Sequence, residues 1–257
     1  MKKKRKKKYR LKPRFFVIIA IFLAFVLSVS SCTINKISDK RDDKKSEKKV
    51  SQQVDVSRAE LLKADGNNGL FILINKQNAV EDWYTPADLV PIESYYAIDR
   101  SAECRYMRSE AASAFLNLAA DAEAAGLDIV MTTAYRSYDY QTTLWNQNVA
   151  RYGSEEEANM ISAKPGQSEH QSGLAVDIST ESIGYKLLES FKDTPEGQWI
   201  AEHAHEYGFI LRYLDGKSDI TGYVYEPWHI RYVGKTAAAE IHDSGITLEE
   251  YLNQLEI

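Results

Sequence analysis

The chain has 257 residues, 44% of them hydrophobic, with 32 Lys+Arg against 37 Asp+Glu and a formal net charge of −5. That balance hides a segregation: residues 1–14 carry ten Lys/Arg and no acid, residues 33–49 seven bases against four acids, and residues 50–257 15 bases against 33 acids, a net of −18. So acidic a globular part excludes nucleic-acid binding, which needs a basic face to neutralise phosphates. Its 15 Tyr and 4 Trp, over a stretch long enough to bury one core, exclude disorder.

In chain order, the basic run Met1–Arg14 precedes thirteen consecutive apolar residues, Phe15–Leu27, and then small residues. This is the pattern of an export signal, short of the ~20 residues a spanning helix needs, or of an uncleaved signal anchor. The tetrad Val29-Ser30-Ser31-Cys32 resembles a bacterial lipobox, which would attach lipid to Cys32. We therefore divide the chain into a signal at 1–32, a charged disordered tether at 33–64 and a domain at 65–257. The domain is expected to sit as a monomer on the extracellular face of the bacterial cytoplasmic membrane. With Cys32 set aside only Cys104 remains, so no disulfide forms within the domain, and Cys104 reads as a small core residue.

The turn cluster Asp65–Gly69 predicts a strand over Leu70–Ile74. Arg108–Gly126 has Ala111, Phe115, Leu118, Ala119 and Ala122 at helical spacing and a capping glycine. A strand is expected at Leu127–Thr133, a helix over Tyr140–Tyr152 closed by Gly153, and a short helix capped by Ser154 and Glu157. Gly173–Ser179, Phe209–Tyr213 and Tyr223–Val233 read as strands, the last interrupted by Pro227. Thr194-Pro195 starts a helix that ends at Gly208, and Thr247 with Glu250 caps a terminal one. This irregular order predicts a single α+β domain, with helices packed on a largely antiparallel sheet.

Of the five histidines, His203 falls four residues after Trp199 and reads as packed against it, while His205 and His242 read as helix-surface residues. His170 and His229 differ in their company: Asp177 lies seven residues after the first and Glu226 three before the second. Two imidazoles and a carboxylate make a set that Zn²⁺ accepts with a fourth position left for water, and a second carboxylate nearby is placed to take that water's proton. On one regular strand His170 and Asp177 would face opposite ways, so Ser172-Gly173 has to break it. Spacing alone leaves open an ordinary His–Asp pair, and it names no substrate.

The run Ser168-Glu169-His170-Gln171-Ser172-Gly173-Leu174-Ala175-Val176-Asp177, followed by Glu226-Pro227-Trp228-His229, resembles the VanY-type D-alanyl-D-alanine carboxypeptidases. Tyr135-Arg136-Ser137 and Gln141 match the same family upstream. The resemblance implies the DD-peptidase/hedgehog type of fold, a peptidoglycan substrate and zinc on His170, Asp177 and His229. It also implies Glu226 as catalytic acid/base, Arg136 at the developing oxyanion or substrate carbonyl, and Ser168 and Gln141 positioning the peptide. An L,D-carboxypeptidase of the same fold is the alternative, and a non-catalytic zinc-containing wall-binding module a more distant one. Two bland readings stand beside these: Arg136 as a surface ion-pair partner, and Trp228 as packing behind the site.

Overall fold

The computed structural model describes residues 60–97 and 101–255, with Glu60–Ile257 one compact unit. The expected signal, the lipobox-like tetrad and most of the tether lie outside the described residues. Among those described, no helix is long and apolar enough to cross a membrane.

Four strands form an antiparallel sheet in the spatial order β3 (Val130–Thr133), β4 (Ala175–Ser179), β6 (His229–Tyr232), β5 (Phe209–Leu211). A two-stranded ribbon, β1 (Leu89–Pro91) with β2 (Tyr106–Arg108), lies apart from it. Because strand side chains alternate, each strand divides its residues between two faces. Met131, Val176, Ile178, Phe209, Ile230 and Tyr232 join the hydrophobic core. Helix α1 (Ser109–Ala124) closes that core with the five predicted residues, all buried, and with Ala112. Burying a ring such as Phe115 contributes roughly 1.5–3 kcal/mol. The intervening positions Asp177, His229 and Arg231 share the opposite face, since Asp177 pairs with His229 and Ala175 with Arg231.

The remaining helices follow their caps. Ser137 accepts from the Tyr140 backbone N–H and starts α2 (Tyr138–Tyr152), and Ser154 does the same for α3 (Glu155–Ile161). Thr194 with Pro195 starts α4 (Pro195–His203), which tightens into a 3-10 turn before Gly208. After the single turn α5 (Ser218–Thr221) come α6 (Lys235–Ser244) and α7 (Leu248–Gln254), the last opened by a complete Thr247–Glu250 capping box.

Three expectations differ. Leu70–Ile74 is not a strand: the Leu70 and Ile72 carbonyls accept from the Arg231 guanidinium, and the Leu70 and Ile72 N–H groups bond within a turn. Residues 223–228 are also irregular, because Gly222 turns the chain and Pro227 has no N–H to give a ladder. Residues 60–67 are helical and insert Leu62 into the core, where the tether was expected to run to residue 64.

Segment 166–171, which leads into the His170 turn, is braced by the loop before β1. Val80 and Gly166 bond through their backbones, and the Gln171 side chain donates to the Glu81 and Tyr84 carbonyls. Gly166 has φ +81°, and a Cβ there would stand 2.6 Å from the Val80 carbonyl oxygen. Gly166→Ala is expected to cost about 2 kcal/mol or more, half or more from the left-handed backbone alone; urea unfolding measures it.

Candidate metal centre and active-site cleft

His170 lies in the 3-10 turn Glu169–Ser172, which Gly173, in the left-handed conformation, ends before β4 begins. That break lets His170 approach Asp177 from a turn while Asp177 stays in its strand. The His170 Nδ1 is 2.6 Å from the Ala134 carbonyl oxygen. A carbonyl only accepts, so Nδ1 carries the proton and Nε2 presents a lone pair. Nε2 is buried, has no hydrogen-bond partner and stands 3.3 Å from Asp177 Oδ2.

His229 is the cross-strand partner of Asp177, and its Nδ1 is 2.9 Å from Asp177 Oδ1. Its Nε2 is 3.1 Å from Glu169 Oε2. The two imidazoles stand nearly perpendicular, 4.9 Å between centroids, and Tyr213 covers the His229 ring at 4.8 Å. One ligand atom from each of His170, Asp177 and His229 falls within 4.8 Å of the others, and all three residues are buried.

The electrostatics suit a cation. Burial, with Arg136 nearby, pushes His170 down to about 4, so it is neutral and ready to coordinate. Burial also opposes charge on His229, but its bonds to Asp177 and Glu169 win and raise it to about 9. Burial would raise Asp177, yet the two histidines outweigh it and hold its carboxyl far below the usual range. The His229–Asp177 pair thus sets a carboxylate oxygen beside a ring nitrogen where a dication would bind. A nitrogen–nitrogen–oxygen donor set, an orphaned His170 Nε2 and remote nitrogens each held by an oxygen fit Zn²⁺.

Glu226 and His229 belong to one turn, closed by the His229 N–H donating to the Glu226 carbonyl. The Glu226 carboxylate is one-fifth exposed and 3.9 Å from His229 Nδ1, beyond hydrogen bonding. Burial lifts it to about 7 against the pull of His229. Arg136 is no surface residue: its Nη2 stands 3.7 Å from Asp177 Oδ2, and its side chain is 18% exposed. Arg136, Ser168, Leu187, Tyr223, Glu226 and Trp228 line a solvent-open cleft of about 770 Å³ over the three donors. Trp228 both packs on the core and faces that cleft.

Gln141 is placed differently from expectation. It is buried, its Oε1 accepts from Arg136 Nη1 at 3.1 Å, and its Nε2 donates to the Ala163 carbonyl at 2.7 Å. With both ends of the amide engaged it stands behind Arg136, not against a peptide. His203 packs on Trp199 at 4.9 Å as expected, and His205 stacks on His242 at 3.9 Å. What the spacing did not show is Glu169 with Arg212 and Arg231, all fully buried beneath His229. Two arginines alternating with apolar residues in strand-like runs were the available signal, because a buried guanidinium demands a carboxylate.

Residues 104–235 match the family model described as VanY, D-alanyl-D-alanine carboxypeptidase. The chain belongs to the VanY family. YodJ of Bacillus subtilis (strain 168) is 41% identical over 203 residues, 79% of this chain and 74% of that protein. The fold is similar to that of the LD-carboxypeptidase LdcB, with a TM-score of 0.69 and 44% identity over 72% of this chain and 86% of the other. It is also similar to a mutant of the vancomycin-resistance D,D-pentapeptidase VanY in complex with Zn(II), with a TM-score of 0.60 and 32% identity over 71% and 98% of the two chains. The chain is a zinc-dependent carboxypeptidase.

Gln141→Ala would leave the Ala163 carbonyl and one Arg136 N–H unpaired. It is expected to lower unfolding free energy by about 1–3 kcal/mol, read by thermal denaturation.

Proposed function

We propose that this enzyme hydrolyses the last peptide bond of peptidoglycan stem peptides ending in D-alanyl-D-alanine, releasing D-alanine. The observation that carries the reading is the convergence of His170 Nε2, Asp177 and His229 Nδ1 beneath a cleft that also presents Glu226 and Arg136.

Zinc, held by those three residues, supplies a Lewis acid that polarises oxygen and lowers the pKa of water. The chain's own groups do the rest. Glu226, free of any salt bridge shorter than 3.9 Å, takes a proton from the attacking water as its oxygen joins the penultimate carbonyl carbon. When the C–N bond breaks, Glu226 returns that proton to the departing amine. Arg136, steadied by Gln141, faces the oxygen on which negative charge develops. The Ser168 hydroxyl in the cleft wall is a partner for the peptide. Export by residues 1–32 and attachment through Cys32 or an uncleaved anchor would hold a monomeric enzyme outside the membrane, beside its substrate.

A second reading, L,D-cleavage of tetrapeptide stems, is favoured by one observation: LdcB exceeds the VanY D,D-pentapeptidase in both identity and TM-score. D-alanine release from pentapeptide and tetrapeptide muropeptides by the zinc-loaded protein decides between them. Turnover of the pentapeptide supports the first, and turnover of the tetrapeptide alone overturns it.

Glu226→Gln is expected to bind zinc normally and to lose about 10²–10⁴-fold in kcat. Arg136→Ala should lose about 10²–10³-fold in kcat. Steady-state kinetics with parallel metal analysis measures both, and near wild-type turnover by either variant removes its assigned role.

A further inference from the structure

Glu169 stands between Ser168 and the ligand His170, fully buried. Its two oxygens face different partners. Oε1 accepts from Arg212 Nε at 2.7 Å and from Arg231 Nη1. Oε2 is left for His229 Nε2, at 3.1 Å. Both arginines are tied down elsewhere. Arg212 makes a two-pronged bond to Glu249 of α7 at 2.7 and 2.9 Å. Arg231 donates to the carbonyls of Leu70, Ile72 and Tyr232. Two carboxylates against two guanidinium groups leave the cluster neutral, so Glu169 stays an anion in the interior.

We propose that Glu169 is a positioning residue for the zinc site: its Oε2 accepts the His229 Nε2 proton, which keeps the Nδ1 lone pair turned toward the metal. The assignment rests on the zinc-site reading above. A carboxylate on the remote nitrogen of a ligating imidazole fixes its tautomer and raises its basicity. The two arginines do more than neutralise: occupying Oε1, they leave Glu169 one orientation in which to meet His229.

The chemistry separates this role from a structural one. In Glu169→Gln the arginines, which only donate, attract the amide oxygen. The amide NH₂ then faces His229 Nε2, which has to accept, and the ring proton moves to Nδ1, the metal-facing atom. Glu169→Asp keeps the anion for the arginines but draws back from His229 by one methylene. Glu249→Gln weakens the far end of the cluster without touching the Glu169–His229 bond.

The test is zinc affinity of the full chain, measured by competition with a chromophoric chelator, beside Tm for each variant. Glu169→Gln and Glu169→Asp are expected to bind zinc about 10–100-fold more weakly. Glu249→Gln is expected to lower Tm with zinc affinity unchanged. Wild-type affinity in Glu169→Asp overturns the proposal, as does an affinity loss in Glu249→Gln equal to theirs at matched Tm. If Glu169→Gln does not fold, Glu169→Asp decides alone. His229→Ala distinguishes the two levels: undiminished affinity there refutes the metal site itself, whereas lost affinity there with wild-type affinity in Glu169→Asp refutes only the positioning role.

Discussion

The pairing of Asp177 with His229 across β4 and β6 is the constraint on which the rest of this structure depends. Antiparallel register puts the two side chains on one face, and strand alternation sends Val176, Ile178 and Ile230 to the other. A slip of one residue would turn the donors into the core and the core into the cleft. Apolar burial therefore enforces the geometry of the metal site, although no apolar residue belongs to it. The third donor does not share this register. His170 comes from a turn, and its orientation is set by the Ala134 carbonyl and by a left-handed glycine three residues on.

A sheet with helices on one face usually leaves its other face to water. Here β4 is buried along its whole length, so the charges on the second face had to find partners inside the protein. Ion pairs this deep contribute little net stability, because desolvating each charge costs several kcal/mol. They do restrict geometry. Carboxylates and guanidinium groups interlock from Leu70 to Glu249, and each has few alternatives that leave no charge unpaired. The ligands of a dication need this restriction more than they need extra stability.

Much of the fold was legible because it follows local rules. The α1 stripe, the Thr247–Glu250 box and the glycine stops appear where spacing and caps put them. The motif residues His170, Asp177, Glu226 and His229 do meet at one cleft. What could not be read depends on partners distant in sequence. Leu70–Ile74 looks like a strand, but its carbonyls serve a guanidinium 159 to 161 residues away. Gln141 belongs to the same motif as Arg136, yet only the position of Ala163 shows that both ends of its amide are engaged. Tyr223–Val233 has the composition of one long strand, and Pro227 shortens it to four residues while freeing Glu226 to face the cleft.

The contact between α7 and Arg212 bears on how the protein matures. Until Glu249 docks, the interior beneath His229 holds one cation too many, and an uncompensated buried charge keeps that region open to water. Folding of the sheet alone therefore leaves the buried charges unbalanced; docking of the distant helix balances them. The C-terminal helix thus balances the charge of an interior built by strands far from it in sequence, although no residue of that helix belongs to the metal site.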